Sequence, residues 1–106
     1  MASRRRRVIW SPSARQALDD AVTYIAKDSP DGAPRVLQGA LQTASGLGEF
    51  SERGRIAPEF KNPSLREVFV YRYRLLYRVF ADHVSIVTFL HGACDFTDWT
   101  RRSEQS

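Results

Sequence analysis

Arg72, Arg74 and Arg78, with Tyr71, Tyr73 and His91 close by, are the residues best suited to chemistry in this chain. Arginines can stabilise charge developing on a phosphodiester while a histidine or tyrosine moves a proton, so Arg74, Arg78 and His91 are the catalytic candidates. The competing reading makes the arginines a recognition face for an anionic partner and gives His91 a hydrogen bond at a strand end. Cys94 has no histidine and acid at a recognised spacing, and reads as a small buried hydrophobe. Two histidines and one cysteine cannot make a zinc site, and no glycine-rich phosphate loop occurs, so neither metal nor cofactor is expected.

Strands must position these residues. Residues 65–71, 73–80 and 83–90 read as three consecutive strands, with Ala81-Asp82 turning between the last two. On the middle strand Tyr73, Leu75, Tyr77 and Val79 share one face, expected to meet helices. Arg74, Leu76, Arg78 and Phe80 share the other, expected to present charge. The third strand is apolar on both parities, which leaves its orientation open.

Upstream, Arg7-Val8-Ile9-Trp10 is a short β-type run ended by Ser11-Pro12, a helix cap followed by a first-turn proline. Ala14, Ala17, Leu18, Ala21, Val22 and Ile25 recur at helical spacing through residues 13–27. Asp28-Ser29-Pro30 repeats the cap signal before a second stripe of Ala33, Val36, Leu37, Ala40, Leu41, Ala44 and Leu47. So short a break favours a helical hairpin on one surface. Residues 49–64 lose all periodicity and read as a long loop carrying Arg53, Arg55 and Lys61. The order β-α-α-β-β-β gives an α+β domain, a helical hairpin on one face of a mainly antiparallel sheet.

The 106 residues allow a single core. No apolar run approaches the roughly 20 residues that span a bilayer. The formal charge is +4, and every basic residue except Lys27 and Lys61 is an arginine, which suits an anionic partner. One cysteine excludes an internal disulfide, and the start lacks an apolar secretory stretch, so a cytoplasmic location is expected. Arg4 to Arg7 read as a basic, flexible arm over residues 1–7, followed by one domain over 8–99 and a flexible tail over 100–106. Phe96 and Trp99 are expected to anchor the end of the domain to the core.

Trp10-Ser11-Pro12-Ser13-Ala14, Glu52-Arg53-Gly54-Arg55, Leu65-Arg66-Glu67, Tyr73-Arg74-Leu75-Leu76-Tyr77-Arg78-Val79 and Leu90-His91-Gly92-Ala93-Cys94-Asp95-Phe96 occur in an order that resembles the RelE/ParE superfamily of type II toxin-antitoxin toxins. The resemblance runs from Val8 to Phe96. It implies a growth inhibitor neutralised by a cognate antitoxin, and two modes of action: poisoning of DNA gyrase, or ribosome-dependent cleavage of mRNA. The lysine-rich groove of the RNA-cleaving members has no counterpart, so the chain looks closer to ParE-like members; a third reading is a non-toxic nucleic-acid-binding remnant. Operator DNA would be met only through the antitoxin, and no membrane is implied. Expected target contacts are Arg53, Arg55, Lys61, Arg72, Arg74 and Arg78; expected antitoxin contacts are Leu76, Phe80, Arg74 and Arg78. Cys94 stands where the family usually has arginine, and Tyr71 where it usually has glycine.

Overall fold

Ser11 ends the first strand and begins the first helix: its Oγ accepts the Ala14 N–H at 3.0 Å, and Pro12 follows where no N–H is needed. The computed structural model describes residues 5–57 and 64–92. In it β1 (Arg7–Trp10) leads to α1 (Pro12–Asp28) and α2 (Gly32–Gly46), then to β2 (Arg55–Ile56), β3 (Leu65–Val70), β4 (Tyr73–Val79) and β5 (His83–His91). The five strands form one sheet in the order β1-β5-β4-β3-β2, parallel only between β1 and β5. Both helices pack on one face of it, the α+β arrangement that the sequence predicts.

Ala14 and Leu18 of α1 and Ala33, Val36, Ala40 and Ala44 of α2 are buried. Ala14, Leu18, Val36, Ala40 and Ala44 meet Leu75, Tyr77, Val84, Ile86 and Phe89 of the sheet, where each fully buried large side chain contributes about 1.5–3 kcal/mol. Leu37 and Leu41 depart from the expected stripe. Both are exposed, lining a groove with Trp10, Leu18 and Val22 at the seam between the helices. The second cap also differs: α1 runs through Asp28, Ser29 Oγ accepts the Gly32 N–H at 3.1 Å, and α2 starts at Gly32.

Three sequence expectations shift at the sheet. Within the expected loop of 49–64, Arg55 and Ile56 form the edge strand β2 against Glu67 and Arg66. The strand expected over 65–71 stops at Val70, because Tyr71 takes φ 55°, the left-handed region that disfavours side chains. The third strand carries a bulge opposite Leu76 and Tyr77: Thr88 pairs with Leu76 and Ile86 with Tyr77, leaving Val87 as the extra residue. Ser11 Oγ donates to the Val87 carbonyl at 3.3 Å, so the displaced backbone group keeps a partner. Parity reverses there, which is why β5 is apolar on both: Val84, Ile86 and Phe89 face the helices, while Val87 and Leu90 face away.

The arginine run is partly inside the fold. Arg7 opens β1, and Arg6 donates its backbone N–H to Gly48 O at 2.8 Å, Nε to Phe80 O at 2.9 Å and Nη1 to Ser51 Oγ at 3.1 Å. Arg6 is thus tied to the sheet and the α2 end two residues before the expected boundary at Val8. Among the described residues no helix is long and apolar enough to cross a membrane, and no group of three or more His, Cys, Asp or Glu could hold a metal ion.

Candidate functional site

Strand pairing sets the sheet face opposite the helices. Leu65 lies beside Arg78, Glu67 beside Leu76 and Phe69 beside Arg74, so these six side chains share the outer face. Leu76 is buried with Leu65, Val87 and Leu90 in a small second core. Its side chain, expected to contact the antitoxin, is fully buried in this structure. Phe80 lies just beyond β4, partly exposed and stacked on His83 with ring centroids 4.5 Å apart.

Glu67 organises the exposed part of this face. Its side chain is fully buried, with Oε2 3.1 Å from both Nε and Nη2 of Arg55 and Oε1 3.6 Å from Arg74 Nη1. The Arg74 guanidinium also lies over the Phe69 ring, 5.6 Å from its centroid. Arg74 is thus mostly covered, whereas Arg55 on the edge strand keeps 60% of its side chain exposed. Arg78 is half-buried, and its Nε has no hydrogen-bond partner among the described residues. Sequence reasoning assigned no role to Glu67. The available signal was its parity: it stands between Leu65 and Phe69 on a strand, where a lone carboxylate needs a cation.

His91 lies on the other side. It pairs with Tyr73, whose ring it meets edge-on at 5.3 Å, and Tyr73 stacks on Phe89 at 4.9 Å within the helix-facing layer. With Ile25, Arg35, Val36, Tyr71 and Arg72, Tyr73 and His91 line an open cleft of about 410 Å³ at the β3–β4 turn. The structure brings Arg72 and His91 to this cleft but leaves Arg74 and Arg78 across the sheet. The three catalytic candidates therefore do not converge.

Arg53 is exposed on the turn before β2, lining a second open groove with Arg6, Glu49, Phe50 and Val79. A network invisible in the sequence holds this turn: Tyr77 Oη donates to Ser51 O and accepts the Gly54 N–H, both at 2.8 Å, while Arg66 Nη1 donates to Gly54 O at 2.7 Å. Burial pushes the Tyr77 hydroxyl above the usual tyrosine range, against the weaker opposing effects of the Gly54 hydrogen bond and nearby arginines. Lys61 and Cys94, like Phe96 and Trp99, lie outside the described residues.

Comparison with known proteins adds the family. Residues 8–96 match the profile described as the ParE toxin of type II toxin-antitoxin system, parDE. A Sinorhizobium fredii protein named "Putative toxin Y4kP" is 34% identical over 90 residues, covering 83% of this chain and 90% of that protein. The fold is similar to a chain of the chromosomal ParDE system of P. aeruginosa, with a TM-score of 0.70 and 17% identity over 84% of this chain and 98% of that one. It is also similar to a chain of the RelBE2 toxin-antitoxin complex of Mycobacterium tuberculosis, with a TM-score of 0.62 and 23% identity over 82% and 98%. The YoeB dimer of Staphylococcus aureus gives a TM-score of 0.56 at 13% identity over 82% and 97%. Profile and sequence relative together show that the chain belongs to the ParE toxin family of type II toxin-antitoxin systems, within the RelE/ParE superfamily.

Proposed function

We propose that this toxin arrests growth by acting on DNA gyrase and is held inactive by a cognate antitoxin. The observation that carries the choice of target is the separation of His91 from Arg74 and Arg78 on opposite sheet faces. Cleavage of a phosphodiester needs the proton-transfer group and the charge-stabilising groups at one scissile bond, within hydrogen-bond reach of the reacting atoms. Recognition has no such requirement. An outer face bearing Phe69, Arg55, Arg74 and Arg78 is suited to binding a macromolecular surface, and an antitoxin covering it would block that binding.

Supercoiling of relaxed plasmid by purified gyrase, with and without the purified chain, tests the reading. Inhibition that the cognate antitoxin reverses is expected. Unimpaired supercoiling, together with transcript cleavage in a translating extract, would replace it with the ribosome-dependent nuclease reading.

A further inference from the structure

Two arginines share one buried carboxylate on the outer face. Arg55 reaches Glu67 from β2 and Arg74 reaches it from β4, so the carboxylate is enclosed by cations from both neighbouring strands. Such an arrangement is poorly explained as a device for stability, because apolar residues of similar volume often serve a buried position as well as an ion pair does. Its electrostatic consequence is direct. Arg55, Arg74 and Arg78 carry three positive charges on this face beside an exposed aromatic ring, Phe69, and Glu67 cancels one of them. Arginines beside an exposed aromatic ring would hold phosphate backbones of any sequence, since such binding grows with every cation that contacts a phosphate.

We propose that Glu67 is a selectivity residue: an internal counter-ion that keeps the arginine face from binding nucleic acid indiscriminately. The ligand class it acts against is the phosphate backbone. The carboxylate lies between Arg55 and Arg74 and offsets one of their two charges, so the side chains of the Arg55–Glu67–Arg74 cluster sum to a single positive charge. A specific partner must then add shape and apolar contacts to what the charge supplies. The inference concerns charge alone and holds whichever macromolecule the toxin attacks.

The test is binding of the full chain to random-sequence duplex DNA across a salt series, with folding checked by circular dichroism. Glu67→Gln keeps the size of the side chain and removes its charge. It is expected to bind more tightly at low salt, with the slope of log affinity against log salt steeper by about 0.9, one additional phosphate contact. The double variant Arg55→Gln with Glu67→Gln restores the cluster's net charge and is expected to return to the original slope. A folded Glu67→Gln protein with an unchanged or shallower slope, or with no measurable binding, overturns the proposal and leaves Glu67 as a brace between strands. Should Glu67→Gln fail to fold, Arg55→Gln and Arg74→Gln decide the matter. Each leaves Glu67 paired and the cluster neutral, so each is expected to flatten the slope by about 0.9, and an unchanged slope in both overturns the proposal.

Discussion

His91 and Arg74 leave the sheet on opposite faces, although each lies one residue from the other's cross-strand partner. Tyr73 pairs with His91 and Arg74 with Leu90, and the bulge at Val87 decides which face His91 takes. Without that extra residue, the parity of Val84 and Ile86 would turn His91 toward the arginines.

Independence of the two residues follows. Arg74→Ala and His91→Ala, measured singly and together for growth inhibition, are expected to combine additively as free energies, with coupling below about 0.5 kcal/mol. Groups that act together in one chemical step are strongly non-additive, so a double variant no worse than the poorer single would contradict the separation.

Tyr71 holds a left-handed backbone at φ 55° and lays its ring against α2. A Cβ built on Gly39 would stand 3.0 Å from Tyr71 Cε2 and 3.3 Å from Val70 Cγ1. Gly39→Ala gains about 1 kcal/mol of helix propensity but meets that ring. The substitution is expected to be more favourable in a Tyr71→Gly background than in the original chain, by at least about 0.5 kcal/mol in a double-mutant cycle followed by denaturant unfolding. Equal effects in both backgrounds would mean that the ring yields freely.

Tyr77 should govern alkaline stability. Its folded-state pKa is raised, so its contribution is fully present below about pH 10, the ordinary tyrosine value, and is lost as pH rises through the folded value. Tyr77→Phe leaves the Gly54 N–H and the Ser51 carbonyl without their partner and is expected to cost about 1–3 kcal/mol for each buried group left unsatisfied. Urea unfolding from pH 8 to 11 should show a fall in stability in the original chain that is smaller in the variant.

Leu76→Ala separates a supporting role from a contacting one. Full burial with Leu65, Val87 and Leu90 predicts a loss of about 2–5 kcal/mol in unfolding free energy. Antitoxin affinity should fall only in step with the folded fraction. Reduced affinity with unchanged stability would make Leu76 a contact.

The helices and the facing of β4 were legible because their periods are long or nearly regular: Ala14 through Ile25 repeat at helical spacing, and Arg74 and Arg78 mark one face of Tyr73 to Val79. The two-residue β2 was not, since a period needs more than one repeat to be seen. Leu37 and Leu41 misled, because an apolar stripe wider than its sheet contact leaves its margin exposed. The facing of β5 was hidden for a different reason. A bulge changes parity without changing composition, so the position of His91 rested on one unpaired residue, Val87. Glu67 appeared only as part of the Leu65-Arg66-Glu67 run, since its meaning depends on Arg55 and Arg74, brought to it by strand pairing. Arg6 was read with a flexible arm because consecutive arginines resemble a solvated terminus, and its ties to Gly48, Ser51 and Phe80 are all distant in sequence.

The most direct measurement is to express the chain without its antitoxin and follow plasmid supercoiling and transcript integrity in the same cells. Loss of supercoiling with transcripts intact, at the onset of growth arrest, is the predicted result. Cleaved transcripts with normal supercoiling would contradict the account.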